Sequence, residues 1–380
     1  MKNPFKYGGI VTGPYFADRS AEIKELTREM DNNNRVFLVS RRRFGKTCLL
    51  HHLKNRLEKS GTVCTYIDLN AHPDLRSFAG AITSMTIRAL ESNTDRLLKI
   101  FSSFGKLRPN VEMSMHPDSL KAKLGVDVTG SRKDALEALI EGLAHAGTLA
   151  AKKQQKTVVI IDEFSDIEKY DGSTVEKALR SEIQKQEHIG YIFSGSEQSV
   201  MLSMIQDPKR AFYKLGRIMR LGPIERDAYT RFIMEWLEKG GYKAGAADIR
   251  RIFEIGRDVP YNIQRLCHTL WETALESKTV DAEMIENLPV VIARQDSAHY
   301  EIIWQTATQA QKMLLIALVE DPDAQPFSKD FQMKYGIGPS SSIKASLVSL
   351  LKKGIIYKTP ENRYHFVDRF MGYWISDIRK

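Results

Sequence analysis

The sequence predicts an α/β fold, with a parallel-sheet core, a helical lid and a C-terminal winged-helix domain. Three observations predict it. An apolar run at residues 36–39 leads through a glycine-containing loop into a helix-like stretch, and a second apolar run at 158–161 ends in two acids. Beyond residue 297, helical patterns precede two short β-like segments around a turn. Alternating strands and helices are typical of a parallel sheet covered on both faces.

Composition indicates a globular protein with more than one core. The chain has 380 residues, 42% hydrophobic and 27% charged, which allows two or three domains. No apolar run approaches the roughly 20 residues that cross a bilayer, and we expect no signal peptide. The three scattered cysteines favour reduced thiols and a cytoplasmic location. The histidines do not cluster with acids, so we expect no protein-held transition metal. The net charge of +9 favours polyanionic partners.

Residues 40–47 read Ser-Arg-Arg-Arg-Phe-Gly-Lys-Thr and fit the phosphate-loop pattern G-x-x-x-x-G-K-[ST], except that serine replaces the first glycine. Backbone N–H groups of such a loop and of the following helix bind phosphate, aided by the helix's positive end. Gly45 would permit close backbone approach, Lys46 would reach the β- and γ-phosphates, and Thr47 would ligate Mg²⁺. The alternative is a chance G-K-T before a helix. The predicted nucleotide-binding residues of this segment are Ser40, Arg41, Arg42, Arg43, Phe44, Gly45, Lys46, Thr47 and Cys48.

Residues 158–164 read Val-Val-Ile-Ile-Asp-Glu-Phe, the pattern of a strand buried on both faces. In parallel sheets, ligands bind beyond the carboxyl ends of the strands, where these acids emerge. Asp162 would belong to the Mg²⁺ shell, and Glu163 would polarise the attacking water. An acidic cap after an ordinary buried strand is the alternative, and the presence of both motifs in the expected order weakens it. The predicted ligands are therefore ATP and Mg²⁺.

The other elements of the chain continue this alternation of strands and helices. Two more strands are predicted, at residues 62–69 and 191–193. Helical patterns cover residues 21–26, 75–104 and 135–150, with several more helices between 226 and 292. Residues 108–129 are predicted to be irregular or to form a hairpin insertion. The predicted domains are a core at 1–223, a helical lid at 224–296 and a winged helix-turn-helix at 297–380.

The last 80 or so residues carry the pattern of a helix-turn-helix with a wing. Helices are predicted at 309–319, 328–335 and 340–353, and strands at 355–358 and 364–367 flank a turn at Pro360, Glu361 and Asn362. Cationic side chains on the third helix and the wing could neutralise phosphates of duplex DNA. Winged helices also bind proteins, so a protein partner stays open. The candidate DNA contacts are Lys344, Lys352, Lys353, Lys358 and Arg363.

On these motifs the chain resembles the archaeal-type P-loop ATPases, which lie between the AAA+ and STAND groups. The resemblance covers nearly the whole chain. Most members carry glycine at the position of Ser40. The matching pieces are residues 16–19, 40–47, 160–164, 193–196 and 213–217, and the pattern Gly-x-x-x-Pro-Tyr-Asn-Ile that begins at residue 256.

The resemblance implies further site residues. Ser194 or Ser196 would be a polar sensor near the γ-phosphate, or else a structural serine at a strand end. Arg217 would be catalytic, since a guanidinium at the γ-phosphate is worth roughly 10³-fold or more in rate; a surface salt bridge is the alternative. Pro260 and Tyr261 would pack by the adenine, or simply start a helix with a core aromatic. Arg265, one turn further along, would contact phosphate from the lid.

These predictions lead to two functional hypotheses. The first is a Mg²⁺-dependent ATPase that acts as a switch or motor, associated with DNA through its winged helix. An arginine acting on a neighbour's ATP requires an ATP-dependent homo-oligomer. The second is a signalling or scaffold module whose nucleotide state controls a protein partner, with slow or no turnover. A kinase of small molecules is a weaker third, because the lid and wing do not suit it.

Overall fold

The computed structural model describes residues 1–116, 119–323, 325–359 and 361–379. They belong to two units of structure. The first unit comprises residues 7–229 and 259–261, and the second comprises 1–6, 230–258 and 262–380. The predicted boundary between lid and winged helix lies within the second unit, so the division into three domains stays a prediction.

A five-stranded sheet forms the centre of the first unit. The strands of this unit are β1 (Arg35–Ser40), β2 (Val63–Asp68), β3 (Leu107–His116), β4 (Ser119–Val128), β5 (Thr157–Asp162), β6 (Ile189–Gly195) and β7 (Arg217–Leu221). The strands of the sheet all run parallel in the order β2-β5-β6-β1-β7. The predicted strands are therefore confirmed, and the edge strand β7 was not predicted from the sequence.

Helices cover both faces of this sheet because side chains alternate along each strand. The helices are α1 (Ser20–Asp31), α2 (Lys46–Lys59), α3 (Leu75–Leu90), α4 (Thr94–Ser103), α5 (Arg132–Lys153), α6 (Gly172–Ile183) and α7 (Gln198–Gln206). In β1, Phe37 and Val39 join the core formed with α3 to α7, whereas Val36 and Leu38 join the core formed with α1 and α2. The fold class is therefore α/β, as predicted.

One prediction for this unit needs correction, and another had left two alternatives open. The helical pattern at 75–104 is two helices, because Glu91 ends α3 and the Asn93 side chain caps α4 by accepting from the Arg96 N–H at 2.9 Å. Residues 108–129 are not irregular: β3 and β4 pair antiparallel from Leu107↔Val128 to His116↔Ser119. The hairpin alternative is confirmed.

The second unit is mainly helical. Its elements are α8 (Arg226–Lys239, which begins in the first unit), α9 (Ala246–Gly256), α10 (Pro260–Thr273, whose first two residues belong to the first unit), α11 (Ala282–Gln295), α12 (Ser297–Gln305), α13 (Gln309–Glu320), α14 (Lys329–Tyr335), α15 (Ser340–Lys352), β8 (Ile356–Lys358), β9 (Tyr364–Phe366) and α16 (Arg369–Asp377). Helices α13 to α15 form the predicted helix-turn-helix, and β8 and β9 pair antiparallel as the predicted wing. Pro360, in the predicted wing turn, lies outside the described residues.

The terminal helix α16 is held against α11 and α12. Arg294 of α11 forms a salt bridge with Asp377 at 2.9 Å, and the Trp374 indole N–H donates to the Ser297 hydroxyl at 2.9 Å. Neither α12 nor α16 was predicted from the sequence. Among the described residues, no helix combines the length and the apolar character needed to cross a bilayer.

Candidate functional site

The phosphate-loop segment connects β1 to α2 at the carboxyl end of the sheet. Its left-handed positions are Arg43, with φ +70°, and Gly45, with φ +82°. Glycine adopts this conformation without strain, and a Cβ at Gly45 would meet nothing within 4 Å, so backbone geometry rather than space requires glycine there. Ser40 is fully buried at the end of β1 and is not left-handed, so the missing first glycine is sterically tolerated. Arg41 and Arg42 are exposed.

The Asp162 carboxylate is the centre of a hydrogen-bonded cluster at this edge. Its Oδ1 atom accepts from the Lys46 ammonium at 2.6 Å and from the Ser194 hydroxyl at 2.7 Å. Its Oδ2 atom accepts from the Thr47 hydroxyl at 2.9 Å and from the Tyr66 hydroxyl at 2.8 Å. The strands bring these residues together because β6, which carries Ser194, lies between β1 and β5.

Two opposing effects set the pKa of Asp162. Burial raises the pKa of this carboxyl, but the Lys46 ammonium and the hydrogen bonds from Lys46, Ser194 and Tyr66 together hold it below the usual value. The carboxylate is therefore ionised at neutral pH and suits a hard divalent cation.

Glu163 occupies the next position and faces the same cluster. Its backbone is left-handed, with φ +49°. One carboxylate oxygen lies 3.1 Å from the Lys46 ammonium, and the other accepts from the Ser196 hydroxyl at 2.8 Å and the Ser196 N–H at 3.2 Å. Each of the two candidate sensor serines thus binds one acid, Ser194 binding Asp162 and Ser196 binding Glu163.

The predicted adenine residues lie beside the phosphate loop within the first unit. The Tyr261 N–H donates to the Arg43 carbonyl at 3.3 Å, and the Arg43 guanidinium lies 4.8 Å from the centre of the Tyr261 ring. Tyr7 contacts that ring edge-on at 5.9 Å between centroids. The Pro260 carbonyl accepts from the buried Tyr229 hydroxyl at 3.3 Å.

Cys48, at the start of α2, contacts the segment that precedes α1. Its sulfur accepts from the Val11 N–H at 3.3 Å and lies 3.7 Å from the Gly9 carbonyl oxygen. Burial raises the pKa of the thiol, so the sulfur stays protonated at neutral pH. Cys48 therefore packs the segment that precedes α1 against α2.

Arg19 is a site residue to which the sequence analysis assigns no role. Its guanidinium is buried and donates to the Phe44 carbonyl in the phosphate loop at 3.0 Å. It also donates to the Gly222 carbonyl at 2.9 Å and the Pro223 carbonyl at 3.3 Å, beyond the end of β7, and pairs with Glu22 at 2.7 Å. Arg19 thus ties the loop to the sheet edge. The available signal was its place in the matched segment 16–19.

Arg217 is not brought to this cluster within one chain. It begins β7 opposite Val36, whereas the phosphate loop leaves β1 at Ser40. Arg217 and the start of the loop are therefore about 13 Å apart along the strand direction. Its guanidinium forms salt bridges with Glu25 and, at 2.7 Å, with Glu29. The alternative of a surface salt bridge thus describes the arrangement in one chain. A role at a neighbour's nucleotide stays a prediction.

Arg265 is buried in the second unit. It pairs with Asp296 at 2.5 Å, and its guanidinium lies 5.2 Å from the centre of the Phe370 ring. These contacts give Arg265 a structural role in that unit. Its predicted phosphate contact stays a prediction.

The candidate DNA contacts are all exposed, on α15, directly after it at Lys353, or on the wing. Four of them are lysines: Lys344, Lys352, Lys353 and Lys358. Arg363 differs because it forms an ion pair with Asp323 at 2.6 Å. A phosphate would have to displace that carboxylate before binding this arginine, so the lysines are the stronger candidates.

A strand, phosphate loop and helix, with an acidic strand two positions away in a parallel sheet, define the class of P-loop ATPase folds. The chain belongs to the family described as "ATPase domain predominantly from Archaea", whose model matches residues 16–266. The model of a "probable winged helix domain" matches residues 298–377. The predicted family resemblance is therefore confirmed.

Solved structures with similar folds include three archaeal proteins. The Walker-type ATPase PABY2304 of Pyrococcus abyssi has a TM-score of 0.62 and 14% identity, over 98% of this chain and 99% of that one. The ORC2 protein of Aeropyrum pernix, in ADPNP–ADP complexes, has a TM-score of 0.56 and 12% identity, over 99% and 97%. The Aeropyrum pernix ORC1 protein in complex with DNA has a TM-score of 0.50 and 13% identity, over 95% and 93%. No curated protein matches the chain in sequence. At these identities the likeness concerns the fold.

Proposed function

We propose that this protein binds MgATP at the carboxyl end of its parallel sheet and hydrolyses it. The observation that carries the proposal is the single cluster of Lys46, Thr47, Asp162 and Glu163, with distances of 2.6 to 3.1 Å between their side chains. Family membership supports ATP as the nucleotide. So does the fold likeness to ORC2, a protein whose structure contains ADPNP and ADP.

The residues present fit a magnesium ion. The Thr47 hydroxyl and the ionised Asp162 carboxylate are adjacent oxygen donors, 2.9 Å apart, and Mg²⁺ in nucleotide sites is typically held by one or two protein oxygens, phosphates and water. When bound, the ion neutralises charge on the phosphates. Thr47 and Asp162 would hold it.

The chain's own residues would act as follows. Lys46 would move from the two acids to the β- and γ-phosphates. There its positive charge would stabilise the negative charge that develops during phosphoryl transfer. Glu163, released from Lys46, would accept a hydrogen bond from the attacking water and orient it in line with the γ-phosphorus. Ser196 holds the other oxygen of Glu163 and so fixes the direction of that carboxylate.

Turnover of ATP by the purified full chain, with and without duplex DNA, tests this proposal. Mg²⁺-dependent release of phosphate, raised by DNA, is the expected result. Nucleotide binding without any turnover, with or without DNA, would favour the signalling or scaffold module. Absence of nucleotide binding would refute the proposal.

The winged helix is the proposed DNA-binding element. The exposed lysines of α15 and the wing suit phosphate contacts, and the fold likeness to ORC1, a protein solved with DNA, supports this choice. A specific observation favours the second candidate, a protein partner. Val348 on α15 and Met333 on α14 have exposed fractions of 57% and 74%, so the helix-turn-helix presents large apolar side chains that a protein partner could cover.

Charge reversal should distinguish these candidates. Replacing Lys344, Lys352 and Lys358 together with glutamate should abolish binding of fluorescent duplex to the full chain and leave basal ATP turnover unchanged. In the parent, affinity should fall steeply with salt, and milder replacement by glutamine should reduce that salt slope by about 3, because each phosphate contact contributes roughly 0.9.

The matched control reverses three exposed lysines of the first unit, Lys24, Lys99 and Lys177. It changes the net charge equally and should affect DNA binding much less. If the parent binds no duplex at low salt and DNA leaves turnover unchanged, a protein partner becomes the better proposal.

The predicted role of Arg217 at a neighbour's ATP can be tested by mixing two variants. If its guanidinium acts on a neighbour's ATP, then Arg217→Ala and Lys46→Ala proteins should each be inactive alone. Their mixture should recover a fraction of parent turnover, because an intact loop from one chain can meet an intact arginine from the other. Arg220→Ala, an exposed arginine of the same strand, is the control and should keep parent activity.

Sedimentation of the parent with and without ATP should accompany this mixing experiment. ATP should shift the protein towards oligomers. A protein that stays monomeric at micromolar concentration while hydrolysing ATP would remove Arg217 from the mechanism.

A further inference from the structure

Tyr66 touches the candidate magnesium ligand from a strand that carries no motif. It lies on β2, in register with Ile160 of β5, two positions before the end of the strand. Its hydroxyl donates to Oδ2 of Asp162 at 2.8 Å, the same oxygen that accepts from Thr47 at 2.9 Å. A residue of the outer strand thus enters the cluster formed by the phosphate loop and the acidic strand.

The Tyr66 ring is held in place by α2, the helix that follows the phosphate loop. His51 lies one turn beyond Thr47 on α2, and its ring centre is 4.4 Å from that of Tyr66. Both rings are half-buried. The helix that supplies the threonine hydroxyl therefore also supports the tyrosine ring, and both hydroxyls converge on one carboxylate oxygen.

Tyr66 is the donor of this hydrogen bond, and Asp162 is the acceptor. A phenol has an ordinary pKa of about 10, so the Tyr66 hydroxyl is protonated at neutral pH and donates to the carboxylate. It does not compete with Asp162 as an anionic ligand.

The hydrogen bond from Tyr66 to Asp162 matters because, in the proposed function, Lys46 leaves Asp162 for the phosphates. Oδ1 of Asp162 accepts from Lys46, from the Ser194 hydroxyl and, at 2.9 Å, from the Glu163 N–H. When Lys46 turns to the phosphates, Oδ1 loses its charged partner, and the terminal torsion of an aspartate side chain is intrinsically broad. Tyr66 can keep its hydrogen bond throughout, because it makes no contact that the phosphates would require.

We propose that Tyr66 is a positioning residue, which orients the Asp162 carboxylate for Mg²⁺ and keeps it oriented after Lys46 leaves. This inference rests on the proposed MgATP site. Partners that orient metal ligands typically change metal affinity by 10- to 100-fold when they are lost. Tyr66→Phe removes the hydroxyl and keeps the ring on His51.

The test measures metal binding directly. Mn²⁺ is titrated, by electron paramagnetic resonance, into the full chain saturated with a non-hydrolysable ATP analogue. Tyr66→Phe should raise the half-saturating Mn²⁺ concentration by about tenfold, while affinity for the analogue in the absence of divalent metal stays within about twofold of the parent. The Mg²⁺ concentration for half-maximal turnover should shift in the same direction.

Tyr191→Phe is the matched control. Tyr191 is fully buried in the same sheet, but it lies opposite Arg35 at the amino end of the strands, and its hydroxyl donates to Gln186 at 2.5 Å. Loss of this hydroxyl should lower thermal stability without changing metal affinity. A purely structural role for Tyr66 predicts the same behaviour for Tyr66→Phe.

The outcomes separate this inference from the proposed function. If the parent binds no nucleotide, the proposed function fails. If the parent binds nucleotide and Mn²⁺ but folded Tyr66→Phe binds Mn²⁺ equally well, the role of Tyr66 is refuted. Should Tyr66→Phe not fold, His51→Leu loosens the ring while leaving the hydroxyl in place. It should raise the half-saturating Mn²⁺ concentration by about twofold or more, and an unchanged value would overturn the inference.

Discussion

Lys46→Ala should abolish binding of MgATP, with an affinity loss of about 100-fold or more. The ammonium would contact two phosphate groups, and charge-assisted hydrogen bonds are worth roughly 1.5–3 kcal/mol each, so losing both amounts to at least two powers of ten. Calorimetric titration with MgATP, or fluorescence of a labelled nucleotide, measures the effect.

Lys54→Ala is the control for this experiment. Lys54 lies two turns further along the same helix and pairs with Glu58 at 2.7 Å, so its loss should leave affinity unchanged. Thermal melting must accompany both variants, because Lys46 is the counter-charge of the buried Asp162 and its removal is expected to lower stability. A folded Lys46→Ala protein that binds and hydrolyses ATP like the parent would show that the site assignment is wrong.

Glu163→Gln should bind MgATP within a few-fold of the parent but hydrolyse it about 10²- to 10⁴-fold more slowly, the range typical of a lost general base. Glutamine keeps the size of the side chain and one oxygen that can accept from Ser196, so the local structure should persist. Single-turnover measurement with labelled ATP separates the two steps, because ATP should be recovered intact from the complex.

Glu187→Gln removes a charge of the same kind from an exposed position before β6 and should turn over ATP normally. Parent-like hydrolysis by Glu163→Gln would transfer the water-orienting role to another group. Loss of binding by Glu163→Gln would instead indicate that Glu163 mainly organises Lys46, whose ammonium it contacts at 3.1 Å.

The core of the candidate site could be predicted because its chemistry is concentrated in two short segments. The phosphate loop needs a strand, a left-handed glycine and a helix start within about ten residues, and the acidic strand needs a buried run followed by two carboxylates. Both patterns are local, and parallel pairing then places Lys46 and Asp162 at the same edge.

Elements whose local signal is short or mixed were harder to predict. β7 has five residues, too few for its alternation to be distinctive, and it forms because the exposed edge of β1 accepts it. The break between α3 and α4 depends on the Asn93 cap, which the surrounding helical periodicity conceals. The hairpin of β3 and β4 was one of two alternatives, because Pro109 and Gly125 disfavour a strand locally and yet take paired positions.

The sequence by itself therefore determined the class of fold, the phosphate loop and the acids that face it, since backbone conformation and side-chain chemistry there are properties of contiguous residues. Only the tertiary structure decided that Arg19 holds the loop carbonyl, that Tyr66 donates to Asp162, and that Arg217 is paired with Glu25 and Glu29 at the opposite end of the strands. These contacts join residues from 25 to 192 positions apart. They arise when sheet order and helix packing bring distant groups within hydrogen-bonding range, which no local pattern encodes.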